Sequence, residues 1–206
     1  IALNGSFDDC QNLVKKLFKD KNLNETFSFT AVNSINWFRV LPQSIYYAWS
    51  YLNCNIDNFV VPSGNFGNIY SAYLLKSMGF PINKLIVATN ENNILHRIIS
   101  NNDLHLYNVV KTNSPSMDIT ISSNFERLLA EFLGPDSTKE LFQNIPNNEH
   151  NKKLDSSIHN LLSENFLSEN ATSEEVENQI KNTYENYNIL LAVSYTHLRA
   201  HETSKH

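Results

Sequence analysis

The chain has 206 residues, 41% of them hydrophobic and 18% charged, and carries a formal net charge of −5. This is the balance of an ordinary globular protein with enough apolar surface for a core of one or two domains, and it excludes a chain disordered for want of hydrophobic residues. An acidic net charge without a clustered basic stripe argues against nucleic acid or an anionic membrane surface as the main partner, leaving small molecules and other proteins.

In chain order, Ile1-Ala2-Leu3 reads as a strand that turns at Gly5. Leu13, Val14, Leu17 and Phe18 then repeat at helical spacing, with Asp8 or Asp9 as the helix cap. A longer amphipathic helix is expected from Asn33-Ser34 through Ile35, Phe38, Leu41, Ile45, Tyr46, Trp49 and Leu52, bent at Pro42, which cannot donate a backbone hydrogen bond. Its aromatic residues read as core or subunit interface. Its early polar set, Asn33, Ser34, Asn36 and Arg39, is the half with chemical interest.

Val60-Val61-Pro62-Ser63-Gly64-Asn65-Phe66-Gly67-Asn68 follows, an apolar strand breaking into a loop that opens a helix. Two of the chain's five glycines lie here. Pro62 ends the strand, and Gly64 and Gly67 allow close backbone approach or positive φ. The first N–H groups of a helix have no internal partners and, with the macrodipole, suit an anion such as phosphate. A plain strand-to-helix turn fits the same spacing. The loop is neither a Walker A motif nor a GxGxxG fingerprint.

The helix after this loop closes at Gly79 with Pro81 beyond it, Lys84 to Thr89 is a strand, and Asn90 to Asn93 opens a helix carrying Ile94, Leu95, Ile98 and Ile99. Strand, helix and strand make a βαβ unit with parallel strands, whose ligands sit at the carboxyl ends. Ser63 to Asn68 and Thr89 to Asn93 both lie at such ends and are expected to face one crevice. Ser114-Pro115-Ser116-Met117-Asp118 is a polar loop, and Ser122-Ser123-Asn124 caps a helix stopped by Gly134-Pro135. From Asp136 to about Asn188 only short helices are expected, with no strand, as a helical subdomain with a solvated charged face.

Cys10 and Cys54 form neither a disulfide framework nor a metal-ligand spacing, so reduced, buried thiols and a cytoplasmic setting are expected. No apolar run approaches the roughly 18 residues of a membrane span. Ile1, in place of an initiating Met, suggests a start in mid-protein. The tail from Val193 to Thr203 matches a reading frame of a transposon-type sequencing adaptor, so natural sequence is expected to end near Leu191 with Ala192 as the junction. His197 and His201, at metal-pair spacing, lack the Glu of HExxH.

The run Val60 to Asn68, together with Thr89 to Arg97, resembles the long-chain threonine synthases, pyridoxal-phosphate enzymes of the tryptophan synthase β fold. Gly5 to Cys10, Asn33 to Trp37 and Ser114 to Leu129 fit the same family pattern. The resemblance implies an α/β fold, a three-layer parallel-sheet core of fold type II with a mostly helical C-terminal part. Residues 1–134 would be the cofactor-phosphate-binding part, 135–191 the helical subdomain and 192–206 a non-native tail. It implies pyridoxal 5′-phosphate as cofactor, with Ser63, Gly64, Asn65, Phe66, Gly67 and Asn68 cradling its phosphate. O-phospho-L-homoserine is the implied substrate, for which Asn33, Ser34, Asn36 and Arg39 are candidate contacts, with capping and helix packing as the competing role. Arg97 would meet either the substrate phosphate or, the reading preferred here, the acidic surface.

The lysine that carries the cofactor stands in a Phe-Lys-Asp context in that family. Phe18-Lys19-Asp20 imitates it, but it closes a helix in a charged Lys15-Lys16/Lys19/Lys21 cluster, whereas a carrier lysine needs surroundings that lower its pKa. The family's lysine is expected upstream of Ile1, so no catalytic residue is assigned here and the chain by itself is expected to be inactive. The other readings are a threonine-synthase-like phospho-lyase of the same fold and a non-catalytic phosphate-binding module descended from it.

Overall fold

The computed structural model describes residues 7–30, 34, 36–145 and 153–192. The expected N-terminal strand and Gly5 turn, Asn33, Ile35 and the tail from residue 193 lie outside them.

Three parallel strands form one sheet in the order β1 (Phe59–Pro62), β2 (Leu85–Thr89) and β3 (Phe166–Asn170). Val60 pairs with Ile86, and Ile86 with Leu167. The fold is α/β, as expected for parallel strands joined by helical crossovers. All five β2 residues are buried, as befits a central strand covered on both faces. The expected absence of a strand after Asp136 is corrected by β3. Its Phe-Leu-Ser-Glu-Asn has few β-formers, but burial alternates, with Phe166 and Ser168 inside and Leu167 outside. Pairing to β2 outweighs local propensity here.

Before the sheet come α1 (Phe7–Lys19) and α2 (Lys21–Thr26). Asp8 and Asp9 lie inside the first turn of α1 rather than ahead of it. The Phe18-Lys19-Asp20 triplet is a helix junction. Lys19 is exposed, and the Asp20 carboxylate accepts the N–H groups of Asn22 (2.9 Å) and Leu23 (3.2 Å), which caps α2.

The expected long helix is α3 (Trp37–Val40), a 3₁₀ turn (Leu41–Gln43) and α4 (Ser44–Cys54). Pro42 sits in the 3₁₀ turn, where its missing N–H is tolerated, and Ser44 Oγ donates to the Leu41 carbonyl at 2.7 Å. The cap is Asn36, whose side-chain oxygen accepts from Phe38 N–H at 3.0 Å, not Ser34 or Asn33. The face turned to the core also differs from the expected one. Val40 and Tyr47 are buried, and the Tyr47 ring meets Phe59 edge-on at 5.0 Å, while Phe38, Ile45, Tyr46, Trp49 and Leu52 are exposed. Spacing identifies an apolar stripe but not which of two stripes faces the sheet.

After β1, α5 (Gly67–Ser77) ends at Gly79, whose φ of +92° and N–H to the Lys76 carbonyl (2.9 Å) make a left-handed termination. Next come β2 and α6 (Ile94–Asn101), with Leu95, Ile98 and Ile99 buried. A stretch containing the Pro115–Met117 turn leads to α7 (Ser123–Leu133) and α8 (Pro135–Asn144). The last helices are α9 (Ser156–Asn165) and α10 (Ser173–Tyr187), on either side of β3. The core is continuous from Val40 through the sheet to Leu162 and Phe166. Cys10 is half-buried and Cys54 exposed, so the second thiol is not the buried one expected. No helix among the described residues is long and apolar enough to cross a membrane.

Candidate active site

The parallel register brings Ser63 to Asn68 and Thr89 to Asn93 to the same edge of the sheet. Ser63 continues the ladder by one bond, its N–H donating to the Ala88 carbonyl at 2.8 Å. Beyond it the chain leaves the sheet and turns into α5, an eleven-residue helix.

The positive φ in this loop falls on Phe66, at 65°, not on Gly64 or Gly67. For a bulky residue that region costs about 1–3 kcal/mol and persists only when the surroundings enforce it. They do: Phe66 is fully buried, edge-on to Phe125 at 5.3 Å and tilted against Phe166 at 5.4 Å. The glycines are needed instead for close approach. A Cβ on Gly64 would lie 3.1 Å from Met117 Cα and 3.1 Å from Ile119 Cδ1, and one on Gly67 would lie 2.9 Å from Ser34 Cβ.

Side chains lock the loop from both sides. Asn65 Nδ2 donates to Ser34 Oγ at 2.6 Å, Asn65 Oδ1 accepts from Gly67 N–H at 3.0 Å, and the Asn65 carbonyl accepts from Asn124 N–H at 3.1 Å. The Tyr47 hydroxyl is hydrogen-bonded to the Asn68 side chain, and Ser71 Oγ donates to the Asn68 carbonyl at 2.5 Å. Tyr70, one turn into α5, is bonded to Glu131. Burial, and then that carboxylate, push its phenol well above the usual tyrosine range. Among the described residues, the backbone N–H groups of Gly64, Asn65, Phe66, Asn68 and Ile69 engage no protein acceptor, and the ladder of α5 starts with Tyr70 N–H on the Phe66 carbonyl. Free donors at a helix N-terminus, in a loop held by a buried aromatic pair, are chemically suited to an anion.

The second loop is a polar knot. Asp118 accepts from Asn90 Nδ2 (2.8 Å), Asn92 Nδ2 (2.9 Å), Thr112 Oγ1 (2.7 Å) and Thr112 N–H (2.9 Å). Residues 112–119 therefore tie the Asn90 loop through Asp118 and press on the glycine loop through Met117 and Ile119. An open cavity of about 550 Å³ lies on the second loop, lined by Asn92, Asn93, Arg97, Tyr107 and Ile119. Arg97 is committed to structure: it pairs with Asp103 at 2.7 Å, donates to the His105 carbonyl at 2.7 Å, and stacks 4.5 Å over Tyr107. Of its two readings from sequence, the acidic partner is the one found.

Burial works against the Asp103 carboxylate, but the His105 N–H and the Arg97 guanidinium outweigh it and hold its pKa below the ordinary aspartate value. A depressed carboxylate contributes stability above its ordinary pKa, and that contribution is lost as pH falls through the folded value. Asp103→Asn is thus expected to flatten the acid limb of the stability curve, read by urea unfolding from about pH 2 to pH 6.

Of the candidate substrate residues, the fold brings Ser34 to the loop, keeps Asn36 as the cap of α3, and leaves Arg39 exposed on that helix. Sequence reasoning missed Tyr47 and Asn124. Tyr47 looked like one more core aromatic, and Asn124 like a helix cap.

These features define an α/β protein with a glycine loop, rich in free backbone donors, at the carboxyl edge of a parallel sheet. No protein-family model matches the chain. It is 43% identical to the threonine synthase of Saccharomyces cerevisiae over 206 residues, covering 90% of this chain and 39% of that enzyme. The crystal structure of pyridoxal-phosphate-bound threonine synthase from Brucella melitensis superimposes with a TM-score of 0.84 at 36% identity, covering 98% of this chain and 45% of that one. The yeast threonine synthase structure gives 0.82 at 38% identity, covering 99% and 44%. The chain is similar to threonine synthases over the part of them that it matches, and it spans about two fifths of the yeast enzyme's length.

Proposed function

We propose that this chain is the cofactor-phosphate-binding part of a threonine synthase of the long-chain family, acting within the enzyme that converts O-phospho-L-homoserine and water to L-threonine and phosphate. The observation that carries this reading is the set of free N–H groups on Gly64, Asn65, Phe66, Asn68 and Ile69, placed where β1 gives way to α5, in a chain so similar to threonine synthases.

Pyridoxal 5′-phosphate fits the residues present. The loop offers backbone donors and a helix dipole to a dianion and adds no lysine of its own to compete for the aldehyde. Ser63, Gly64, Asn65, Phe66, Gly67 and Asn68 would hold the phosphate. When bound, the cofactor supplies an electron sink for proton removal next to the substrate amino group. Phe66 fixes the loop against the core, Tyr47 fixes Asn68, and Ser34 faces the loop from the substrate side, with Asn33, Asn36 and Arg39 on the same segment. Residues 1–134 form the cofactor-phosphate part and 135–191 the mostly helical remainder, with 192–206 foreign to both. The setting is cytoplasmic.

The test is phosphorus NMR of pyridoxal 5′-phosphate titrated with the chain. A saturable shift of the phosphate resonance is expected, with no binding of pyridoxal, which lacks the phosphate. Equal binding of the two, or of neither, would overturn the assignment.

A further inference from the structure

The asparagine side chains of the glycine loop are engaged within the protein. Asn65 gives its Nδ2 to Ser34 Oγ at 2.6 Å and takes the Gly67 N–H on its Oδ1 at 3.0 Å. The Asn68 side chain is hydrogen-bonded to the Tyr47 hydroxyl. Asn124, which packs against the same loop from α7, is different: it is 1% exposed, and its Nδ2 and Oδ1 are both buried without a hydrogen-bond partner. Native proteins leave few such groups, because each forfeits its hydration without recompense.

Position gives the spare amide a direction. The backbone N–H of Asn124 donates to the Asn65 carbonyl at 3.1 Å, which fixes the residue against the loop. From there its Nδ2 comes within 3.2 Å of the Cβ position of Gly67, the first residue of α5. It thus stands at the helix start where, among the described residues, the N–H groups of Phe66, Asn68 and Ile69 engage no protein acceptor. Glycine at position 67 keeps that approach open, since a side chain there would crowd Asn124 Nδ2 as well as Ser34 Cβ and Asn65 Oδ1.

We infer that the Asn124 carboxamide belongs to the cofactor-phosphate site, its Nδ2 donating to a phosphate oxygen at the Gly67 end of the loop and adding a side-chain donor to a set of backbone N–H groups. This rests on the assignment of the loop to the cofactor phosphate. The chemistry suits an amide at that place. A dianion already meets the backbone donors and the dipole of α5, so a neutral donor adds a hydrogen bond without a charge that would have to be buried before the ligand arrives. Unlike a lysine, it also cannot react with the cofactor aldehyde.

The test titrates the 206-residue chain, labelled with nitrogen-15, with pyridoxal 5′-phosphate and separately with pyridoxal, following the Asn124 side-chain amide resonance and measuring affinity by calorimetry. A saturable shift of that amide with pyridoxal 5′-phosphate, and none with pyridoxal, is expected. Substitution separates this role from a structural one, because the bond to the Asn65 carbonyl comes from the Asn124 backbone and is available to every variant. Asn124→Ala should weaken binding of pyridoxal 5′-phosphate by about tenfold or more, the loss of one charge-assisted hydrogen bond. Asn124→Asp keeps the shape but turns a carboxylate on the dianion, and should weaken binding further than Asn124→Ala does. A side chain that only filled space would give the opposite order, with Asn124→Asp close to the parent, and that order overturns the inference. So does an Asn124 amide that stays in place while pyridoxal 5′-phosphate saturates the chain. If either variant fails to fold by circular dichroism, the amide shift of the parent decides. A parent that binds while Asn124→Ala matches it overturns this inference alone, whereas a parent that does not bind pyridoxal 5′-phosphate overturns the loop assignment and this inference with it.

Discussion

Phe166→Ala is expected to destabilise the chain by about 3–5 kcal/mol, the usual cost of emptying a fully buried phenylalanine site. Phe166 has no solvent exposure, and its ring lies 5.4 Å from Phe66 and 5.7 Å from Tyr73. The cost is not confined to stability. Phe66 is held at positive φ by Phe125 on one side and Phe166 on the other, so removing one wall frees the loop from its strained conformation. Cofactor-phosphate affinity is therefore expected to fall in the same variant, under conditions where circular dichroism shows it folded. Urea denaturation measures the first effect and phosphorus NMR the second. A loss below about 1 kcal/mol would mean that the site collapses around the missing ring.

Gly67→Val should damage the cradle more directly. A Cβ at this position stands 2.9 Å from Ser34 Cβ and 3.2 Å from Asn65 Oδ1, so the branched side chain displaces the serine, the asparagine or the first turn of α5. Hydrogen bonds to a charged group contribute about 1.5–3 kcal/mol each, so misplacing even one donor corresponds to a loss of about tenfold or more in phosphate affinity. Gly79→Ala is the matching control. It replaces the glycine just past the other end of α5, with no atom within 4 Å of an added Cβ, but its φ of +92° makes it a purely conformational change far from the loop. It should lower stability and spare affinity. If Gly67→Val binds pyridoxal 5′-phosphate as tightly as the parent, the loop is a packing turn and the cradle assignment fails.

Both variants turn on contacts between residues about a hundred positions or thirty positions apart, which is where reading the chain in order loses resolution. Phe166-Leu-Ser-Glu-Asn has the composition of a loop, and it becomes a strand because β2 offers an unpaired edge with Thr89, Ala88 and Val87 in register. Likewise the glycine loop announces flexibility at Gly64 and Gly67. The fold spends those glycines on clearance from Met117 and Ser34 and places the strained φ on Phe66, a choice set by the aromatic pocket of Phe125 and Phe166. The Ser122–Asn124 run reads as a cap, but Ser122 makes no side-chain bond to its helix and the backbone N–H of Asn124 goes to the Asn65 carbonyl instead.

The sequence by itself determined the local events: the β1 and β2 strands, the loop between β1 and α5, and the Gly79 and Gly134 helix ends. These follow from propensity, periodicity and the special backbone of proline and glycine, all of which act within a few residues. Only the tertiary structure decided which stripe of α4 faces the core, that β3 exists, which residue bears the loop's strain, and which polar side chains are left without partners. Those outcomes depend on atoms brought together by long-range packing, where burial and close contact outweigh the preferences of any single segment.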